Sequence, residues 1–189
     1  MKEFHRMTIA SVTRDLPICK VNDKLYIAGF VIFGDVEMTK ASAKELIKKI
    51  PEHDIMITAE SKGIPLIYEM AAQMGSPTYL LARKSQKLYM RDTISIEVKS
   101  ITTTNVQRLY LDTLEAEKIE GKRVLIIDDV ISTGESIDAL EKLVVKAGGT
   151  VVGKAAILAE GDAKNIPNLT YLEYLPLFTV DDNQNLIEI

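Results

Sequence analysis

The 189-residue sequence contains a single cysteine and two histidines, and both scarcities exclude classes of protein. One thiol, Cys19, cannot form an internal disulfide bond, which fits a reducing compartment. His5 and His53 lie far apart in the sequence and make no spacing typical of a metal site. The sequence therefore predicts neither a disulfide-stabilised scaffold nor a zinc protein.

Long apolar runs and an excess of basic residues are also lacking. No apolar stretch approaches the ~20 residues that span a membrane, and Met1-Lys-Glu-Phe-His-Arg6 lacks the apolar region of a signal peptide. The formal net charge is −4, so no general basic surface is expected for nucleic acid. The glycine-rich motifs of P-loop and dinucleotide-binding proteins are absent as well. We therefore predict a cytoplasmic protein with no membrane and no nucleic acid among its partners.

The apolar content, 47%, is sufficient for the core of one α/β domain over residues 1–189. Aliphatic runs predict strands that alternate with amphipathic helices along the chain. This alternation predicts a doubly wound, mainly parallel sheet flanked by helices. The strands are predicted at 54–59, 78–82, 124–127 and 151–158, and the helices at 38–50, 64–74 and 135–147, the first capped by Thr39.

Two regions depart from this alternation. Residues 1–37 are predicted to be irregular, with strand-like pieces at 24–27 and 29–33. Between Tyr89 and Leu111, apolar residues such as Ile94 and Ile96 alternate with polar ones, which predicts an antiparallel hairpin.

The segment from Val124 to Ser136 carries the strongest functional signal. Its four aliphatic residues predict a strand buried on both faces, and Asp128 and Asp129 are predicted to end that strand. The turn that follows offers backbone N–H groups, hydroxyls and the positive end of a helix dipole, all of which suit a phosphate. Together these groups could hold the hydroxyls and the phosphate of one sugar. The acidic pair alone is more typical of a solvated strand end before an ordinary helix start.

Polar residues follow two more of the predicted strands, at Glu60–Gly63 and at Arg83–Lys87. In a parallel sheet these loops emerge at the same edge as Asp128. Each loop alone is typical of a plain turn or a solvated charge run. Together with the acidic pair they predict a site whose cations and N–H donors bind a pyrophosphate group.

These motifs resemble those of a known family. Asp128-Asp129-Val-Ile-Ser-Thr-Gly-Glu-Ser136 is similar to the phosphoribosyl-pyrophosphate (PRPP) signature of the type I phosphoribosyltransferases. Ala59–Gly63 resembles the pyrophosphate loop of the adenine phosphoribosyltransferases, and Arg83–Leu88 resembles their basic segment. The bacterial xanthine phosphoribosyltransferases share much of this layout. The resemblance implies the type I fold, with a small hood at 1–37, a flexible lid hairpin at 89–104, and a homodimer.

The resemblance also implies a reaction. Phosphoribose would pass from PRPP, which carries Mg²⁺, to a purine nitrogen, and pyrophosphate would be released. Asp128 and Asp129 would hold the ribose hydroxyls, directly or through the metal and water, and would stabilise positive charge at the anomeric carbon. The 5′-phosphate would be bound by Ser132, Thr133, Gly134, Glu135 and Ser136. The pyrophosphate would be bound by Glu60, Ser61, Lys62, Gly63, Arg83, Lys84 and Lys87.

The acceptor base is less sharply indicated. The loop Glu60-Ser-Lys-Gly63 is closer to the adenine pattern, so adenine is favoured, with xanthine, hypoxanthine and guanine as alternatives. The segment Glu97–Asn105, however, lacks the Glu-Tyr-Gly element usual near the lid of adenine enzymes. Phe30 and Phe33 are candidates to stack on the base from the hood, or else core residues.

A second function remains open, that of a PRPP-sensing regulator of purine genes without catalytic activity. Such repressors carry a winged-helix domain before the PRPP domain, which needs about 60–80 residues. Because 37 residues precede the first predicted helix and the net charge is negative, we favour the enzyme.

Overall fold

The computed structural model describes residues 4–90, 92–98, 107–181 and 185–189, and these form two five-stranded sheets, a hairpin and flanking helices. The strands are β1 (Phe4–Ile9), β2 (Val12–Lys20), β3 (Tyr26–Ala28), β4 (Ile55–Ala59), β5 (Leu80–Ala82), β6 (Ile94–Val98), β7 (Gln107–Leu111), β8 (Arg123–Ile131), β9 (Thr150–Glu160), β10 (Leu169–Leu175), β11 (Leu177–Val180) and β12 (Leu186–Glu188). The helices are α1 (Val36–Ile47), α2 (Ile64–Met74), α3 (Thr113–Glu117) and α4 (Glu135–Lys146), with a 3₁₀ turn at Gly161–Asn165. Within the described residues, no helix combines the length and apolarity that a bilayer crossing requires.

The central sheet is parallel throughout, in the order β10-β9-β8-β4-β5. Successive side chains of β8 point to opposite faces. Leu125 and Ile127 join a core cluster with α1 and α2, whereas Val124 and Ile126 pack on the other face with α4. Because helices cover both faces, the strand reads as an unbroken aliphatic run. The predicted doubly wound parallel sheet is confirmed.

The second sheet is antiparallel and combines strands from both ends of the described chain, in the order β1-β2-β3-β11-β12. We call it the hood sheet. The prediction that residues 1–37 are irregular is therefore wrong, and the piece at 29–33 is not a strand. Ala10 and Ser11 form the β1–β2 turn at φ 47° and 68°. Such turns normally use Gly, Asn or Asp, so the sequence carried no signal for this hairpin.

Two predicted boundaries also differ. Strand β8 continues past the acidic pair to Ile131, because Val130 and Ile131 still pair with β9. Helix α1 is capped by the Asp35 carboxylate, which accepts a hydrogen bond from the Met38 N–H at 3.0 Å, and not by Thr39. Helix α2 has the predicted bounds.

Strands β6 and β7 form the predicted antiparallel hairpin. Ile94 and Ile96 pack against the core on the α4 side, and the Lys146 ammonium donates to the Ser95 carbonyl at 3.1 Å. Arg91 and residues 99–104 of the predicted lid lie outside the described residues. Closure of this hairpin as a lid therefore stays a prediction.

Candidate active site

The candidate site lies where the parallel strands β4, β5, β8 and β9 end. Because the four strands are parallel, the segments that follow them emerge at one edge of the sheet, where open α/β sheets bind ligands. The sequence-predicted residues are carried by β8 and by the segments that follow β4, β5 and β8.

The acidic pair concentrates negative charge inside the protein. Asp129 is 2% exposed, and its Oδ2 has no hydrogen-bond partner among the described residues. The ammonium of Lys62 lies 3.4 Å from that oxygen, which is ion-pair distance without hydrogen-bond geometry. Burial, and then the charge of Asp129, raise the pKa of Asp128 to about 7, although the Asp129 N–H donates to Asp128 Oδ1 at 2.9 Å. The pair is therefore poised to gain from a cation or from hydroxyl donors.

The turn after β8 forms a small cavity of about 50 Å³ between Asp128 and the start of α4. Gly134 has φ 80°, a backbone conformation that residues other than glycine rarely adopt. Within the described part of the chain, no side chain caps the first turn of α4, so its backbone N–H groups stay available. The turn can thus bind an anion through backbone N–H groups, with hydroxyls on either side. Its side chains with oxygen atoms are Ser132, Thr133, Glu135 and Ser136.

The loop after β4 approaches the acidic pair closely. A Cβ atom at Gly63 would collide with the Thr58 hydroxyl and lie 3.2 Å from Asp128 Oδ1. Glycine is therefore required for this approach. The preceding Glu60–Ser61 peptide bond is cis, and Ser61 is exposed. The loop brings Lys62 to Asp129, as described above.

Glu60 fastens this loop to the basic segment after β5. Its carboxylate accepts from the Arg83 guanidinium at 2.7 Å and from the Lys84 backbone N–H at 2.8 Å. Burial alone would raise the pKa of Glu60, but the Lys84 N–H and the Arg83 guanidinium lower it below its ordinary value. Arg83 also donates to the Tyr89 hydroxyl at 2.6 Å. Glu60 is thus placed to position the basic segment, because its negative charge faces Arg83.

The cations of the basic segment do not all converge on the acidic pair. Lys87 donates to the Ser85 hydroxyl at 2.8 Å, and no contact between the side chains of Lys84 or Lys87 and Asp128 or Asp129 occurs within the described residues. The ammonium groups of both lysines are therefore not neutralised by the acidic pair.

A larger cavity of about 450 Å³, which we call the hood cavity, adjoins the turn after β8. Its walls come from the hood sheet and from the end of β9, and include Val21, Leu25, Ile27, Thr133, Glu160 and Leu177. The sequence did not predict this cavity, because its lining residues lie far apart in the sequence and come together only in the folded protein. Phe30 is buried in the core, and neither Phe30 nor Phe33 lines this cavity.

Comparisons with known proteins fit this geometry. Residues 35–175 match the family model described as phosphoribosyl transferase domain. The chain is 28% identical over 166 residues to the hypoxanthine/guanine phosphoribosyltransferase of Methanotorris igneus, covering 85% of this chain and 86% of that one. It is 31% identical over 150 residues to the adenine phosphoribosyltransferase of Acetivibrio thermocellus, covering 78% and 84%.

A solved structure supports the same fold. The adenine phosphoribosyltransferase of Thermoanaerobacter pseudethanolicus superposes with a TM-score of 0.63 at 23% identity, covering 76% of this chain and 84% of that chain. This likeness confirms the predicted fold class.

Proposed function

The chain belongs to the type I phosphoribosyltransferase family, and on that premise we propose that it transfers phosphoribose from PRPP to a purine base. One observation carries the proposal: a buried acidic pair and an anion-binding turn follow each other on the strand–turn–helix unit of β8 and α4. Such a unit can hold the hydroxyls and the 5′-phosphate of one ribose.

In this proposal the turn binds the 5′-phosphate and the acidic pair faces the ribose. Backbone N–H groups at Gly134–Ser136 and the hydroxyls of Thr133 and Ser136 would donate to phosphate oxygens. Asp128 and Asp129 would accept hydrogen bonds from the ribose hydroxyls. As the bond to pyrophosphate breaks, positive charge develops at the anomeric carbon, and the two carboxylates stabilise it.

The acidic pair also fits the magnesium ion that the family implies. Asp128 and Asp129 supply the hard oxygen ligands that Mg²⁺ prefers, and Asp129 Oδ2 is buried without a hydrogen-bond partner in the described chain. No group of three or more His, Cys, Asp and Glu side chains among the described residues could hold a metal ion alone. This suits Mg²⁺ bound largely by water and substrate oxygens, with Asp128 and Asp129 as its protein contacts. The ion would neutralise charge on the leaving pyrophosphate.

Pyrophosphate would bind between the loop after β4 and the basic segment. Lys62, Lys84 and Lys87 present ammonium groups there, and Ser61 and Gly63 present backbone of the same loop. Glu60 and Arg83 belong to this subsite through their mutual ion pair, which fixes the two segments together. We propose the hairpin of β6 and β7 as the lid that excludes water.

The purine base would bind in the hood cavity. The cavity adjoins Ser132 and Thr133, and its apolar walls suit a flat ring. Adenine remains the favoured acceptor in this proposal. Hypoxanthine, guanine and xanthine are alternatives, and the relatives of the chain include enzymes of both the adenine and the hypoxanthine/guanine type. A homodimer is part of the proposal, and the exposed apolar side chains of Phe33, Val36 and Tyr68 offer a surface for it.

The test is a panel of bases offered to the purified protein with magnesium and PRPP. Pyrophosphate and nucleotide should appear together with at least one purine. The same preparation of an Asp128→Asn, Asp129→Asn double variant is the control for contaminating enzymes. Product from a pyrimidine alone would contradict the purine assignment. Calorimetric binding of magnesium-PRPP without turnover of any base would instead favour the non-catalytic regulator.

A further inference from the structure

The hood cavity contains a carboxylate that the proposed reaction does not yet use. Glu160 is the last residue of β9 and lines the cavity together with the apolar side chains of Val21, Ile27 and Leu177. Its neighbour Ala159 pairs with Ile131. Glu160 therefore lies beside the start of the phosphate-binding turn, on the side that the hood sheet closes.

The Glu160 side chain is partly buried and has no hydrogen-bond or ion-pair partner within the described residues. Burial raises the pKa of Glu160, and the charge of Lys62 partly offsets that effect. Asp162 also lines the cavity, but it is exposed, so water satisfies it. A partly buried carboxylate without a partner gains most from a ligand that donates a hydrogen bond.

The four common purines differ in what they offer such a group. An ionised carboxylate accepts hydrogen bonds and cannot donate them. Adenine and hypoxanthine differ at position 6, where one carries an amino group and the other an oxygen. Guanine and xanthine differ in the same way at position 2. Each pair thus exchanges a donor for an acceptor at the exocyclic position, while the adjacent ring nitrogen changes the opposite way, from acceptor to N–H donor.

Building on the proposed function, we propose that Glu160 selects the acceptor base by accepting a hydrogen bond from its exocyclic amino group. The preferred acceptor is then an aminopurine. An oxo group at the same place would set two acceptors against each other and leave Glu160 desolvated without a donor.

The experiment measures kcat/KM for the four bases in the wild-type protein and in Glu160→Gln. We expect the adenine/hypoxanthine or the guanine/xanthine ratio to exceed about 10 in the wild type, since a hydrogen bond to a charged group is worth about 10-fold or more. Glu160→Gln should lower that ratio about 10-fold, because an amide both donates and accepts. The pair that responds identifies the edge of the base facing Glu160.

Glu173→Gln is the matched control, because Glu173 is an exposed carboxylate on the adjacent strand β10 and lies outside the cavity lining. Its ratios should equal those of the wild type. Glu160→Lys presents a donor instead, and should shift preference towards hypoxanthine or xanthine.

The outcomes separate the two proposals. Turnover of no purine by the wild type would refute the proposed function and this inference with it. Turnover with both ratios near or below 1 in the wild type would overturn the inference alone, whether or not the variants fold. If Glu160→Gln and Glu160→Lys are active and both kcat/KM ratios stay within about twofold of the wild-type values, the inference is also overturned.

Discussion

At the scale of single residues, the acidic pair combines a proposed catalytic role with a cost in stability. Asp128 and Asp129 are adjacent and largely removed from water, so their charges repel each other in a medium that screens them poorly. A substrate with hydroxyl donors and a cation relieves this repulsion. The same arrangement burdens the ligand-free protein at high pH.

Replacing Asp128 by Asn should therefore lower activity and raise stability. Losing one preorganised charge facing the anomeric carbon should cost about 3 kcal/mol of transition-state stabilisation, or ~100-fold in kcat/KM. Steady-state kinetics with magnesium-PRPP and the best purine measures this loss. Asp129→Asn should behave alike, and near-normal turnover in both variants would mean that the pair merely continues the strand.

The stability effect of Asp128→Asn depends on pH. Because the pKa of Asp128 is raised to about 7, the folded protein binds a proton that the unfolded chain has released between about pH 4 and 7. The free energy of unfolding therefore falls as the pH rises through that window. The free energy of unfolding of the variant does not fall in this way, so the variant should be more stable than wild type at pH 8 by on the order of 4 kcal/mol.

Denaturant unfolding at pH 5 and pH 8 measures this difference. Glu173→Gln, which removes an exposed carboxylate, provides the control. If the free energy of unfolding changes equally between pH 5 and pH 8 in wild type and in Asp128→Asn, the expectation is contradicted.

At the scale of elements, those whose ends carry a proline or glycine signal were predictable, and those without such a signal were not. Helix α2 has the predicted bounds because Pro65 lies in its first turn and Gly75 ends it at φ 69°. Strand β4 follows from its short aliphatic run. The β1–β2 hairpin was missed because its turn residues, Ala10 and Ser11, carry no glycine signal.

The site divides in the same way. Asp128, Asp129 and the turn after them are local in sequence, so their spacing predicted one binding unit. Glu160 gave no such signal, because a lone glutamate after an aliphatic strand is ordinary. Its place became visible only from the pairing of β9 with β8 and the closure of the hood sheet.

The ion pair between Glu60 and Arg83 joins two loops, and its removal should weaken PRPP binding. Glu60→Gln keeps the shape of the side chain but removes the charge that holds Arg83 and the Lys84 N–H. A partly buried charge-assisted contact is worth about 1.5–3 kcal/mol. We therefore expect KM for PRPP to rise roughly 10-fold, with KM for the base nearly unchanged.

Steady-state kinetics with PRPP as the varied substrate tests this expectation. Glu45→Gln removes a surface carboxylate paired with Lys48 at 2.6 Å, and should leave both constants unaltered. An unchanged KM for PRPP in Glu60→Gln would show that the basic segment holds its position without the ion pair.

At the scale of the whole molecule, the two substrates of the proposed reaction would meet different parts of the fold. The phosphoribosyl group would bind at the end of β8 and the start of α4, whereas the base would bind in the hood cavity, whose walls come from the β2–β3 region and β11. A substitution in the turn after β8 should therefore change KM for PRPP, and a substitution in the hood cavity should change KM for the base.

Leu177→Ala and Ser136→Ala form a crossed test of this separation. Leu177 lines the hood cavity, and losing the contacts of its two methyl groups with the base should raise KM for the base roughly 10-fold, at about 0.8 kcal/mol per group. Ser136 lines the small cavity of the turn, and losing its hydroxyl should raise KM for PRPP by about 3- to 10-fold. Leu177→Ala should leave KM for PRPP within about twofold of the wild-type value, and Ser136→Ala should do the same for KM of the base. Parallel rises in both constants for both variants would contradict the separation.

The hood sheet also bears on the order in which the chain becomes functional during synthesis. All five strands of the parallel sheet lie before Pro176, whereas β11 and β12 of the hood sheet follow it. A chain growing from its N-terminus thus contains the turn after β8 before β3 has its partner β11. On the proposed function, the sugar-donor side of the site would thus be complete in the growing chain before Leu177 closes the acceptor side.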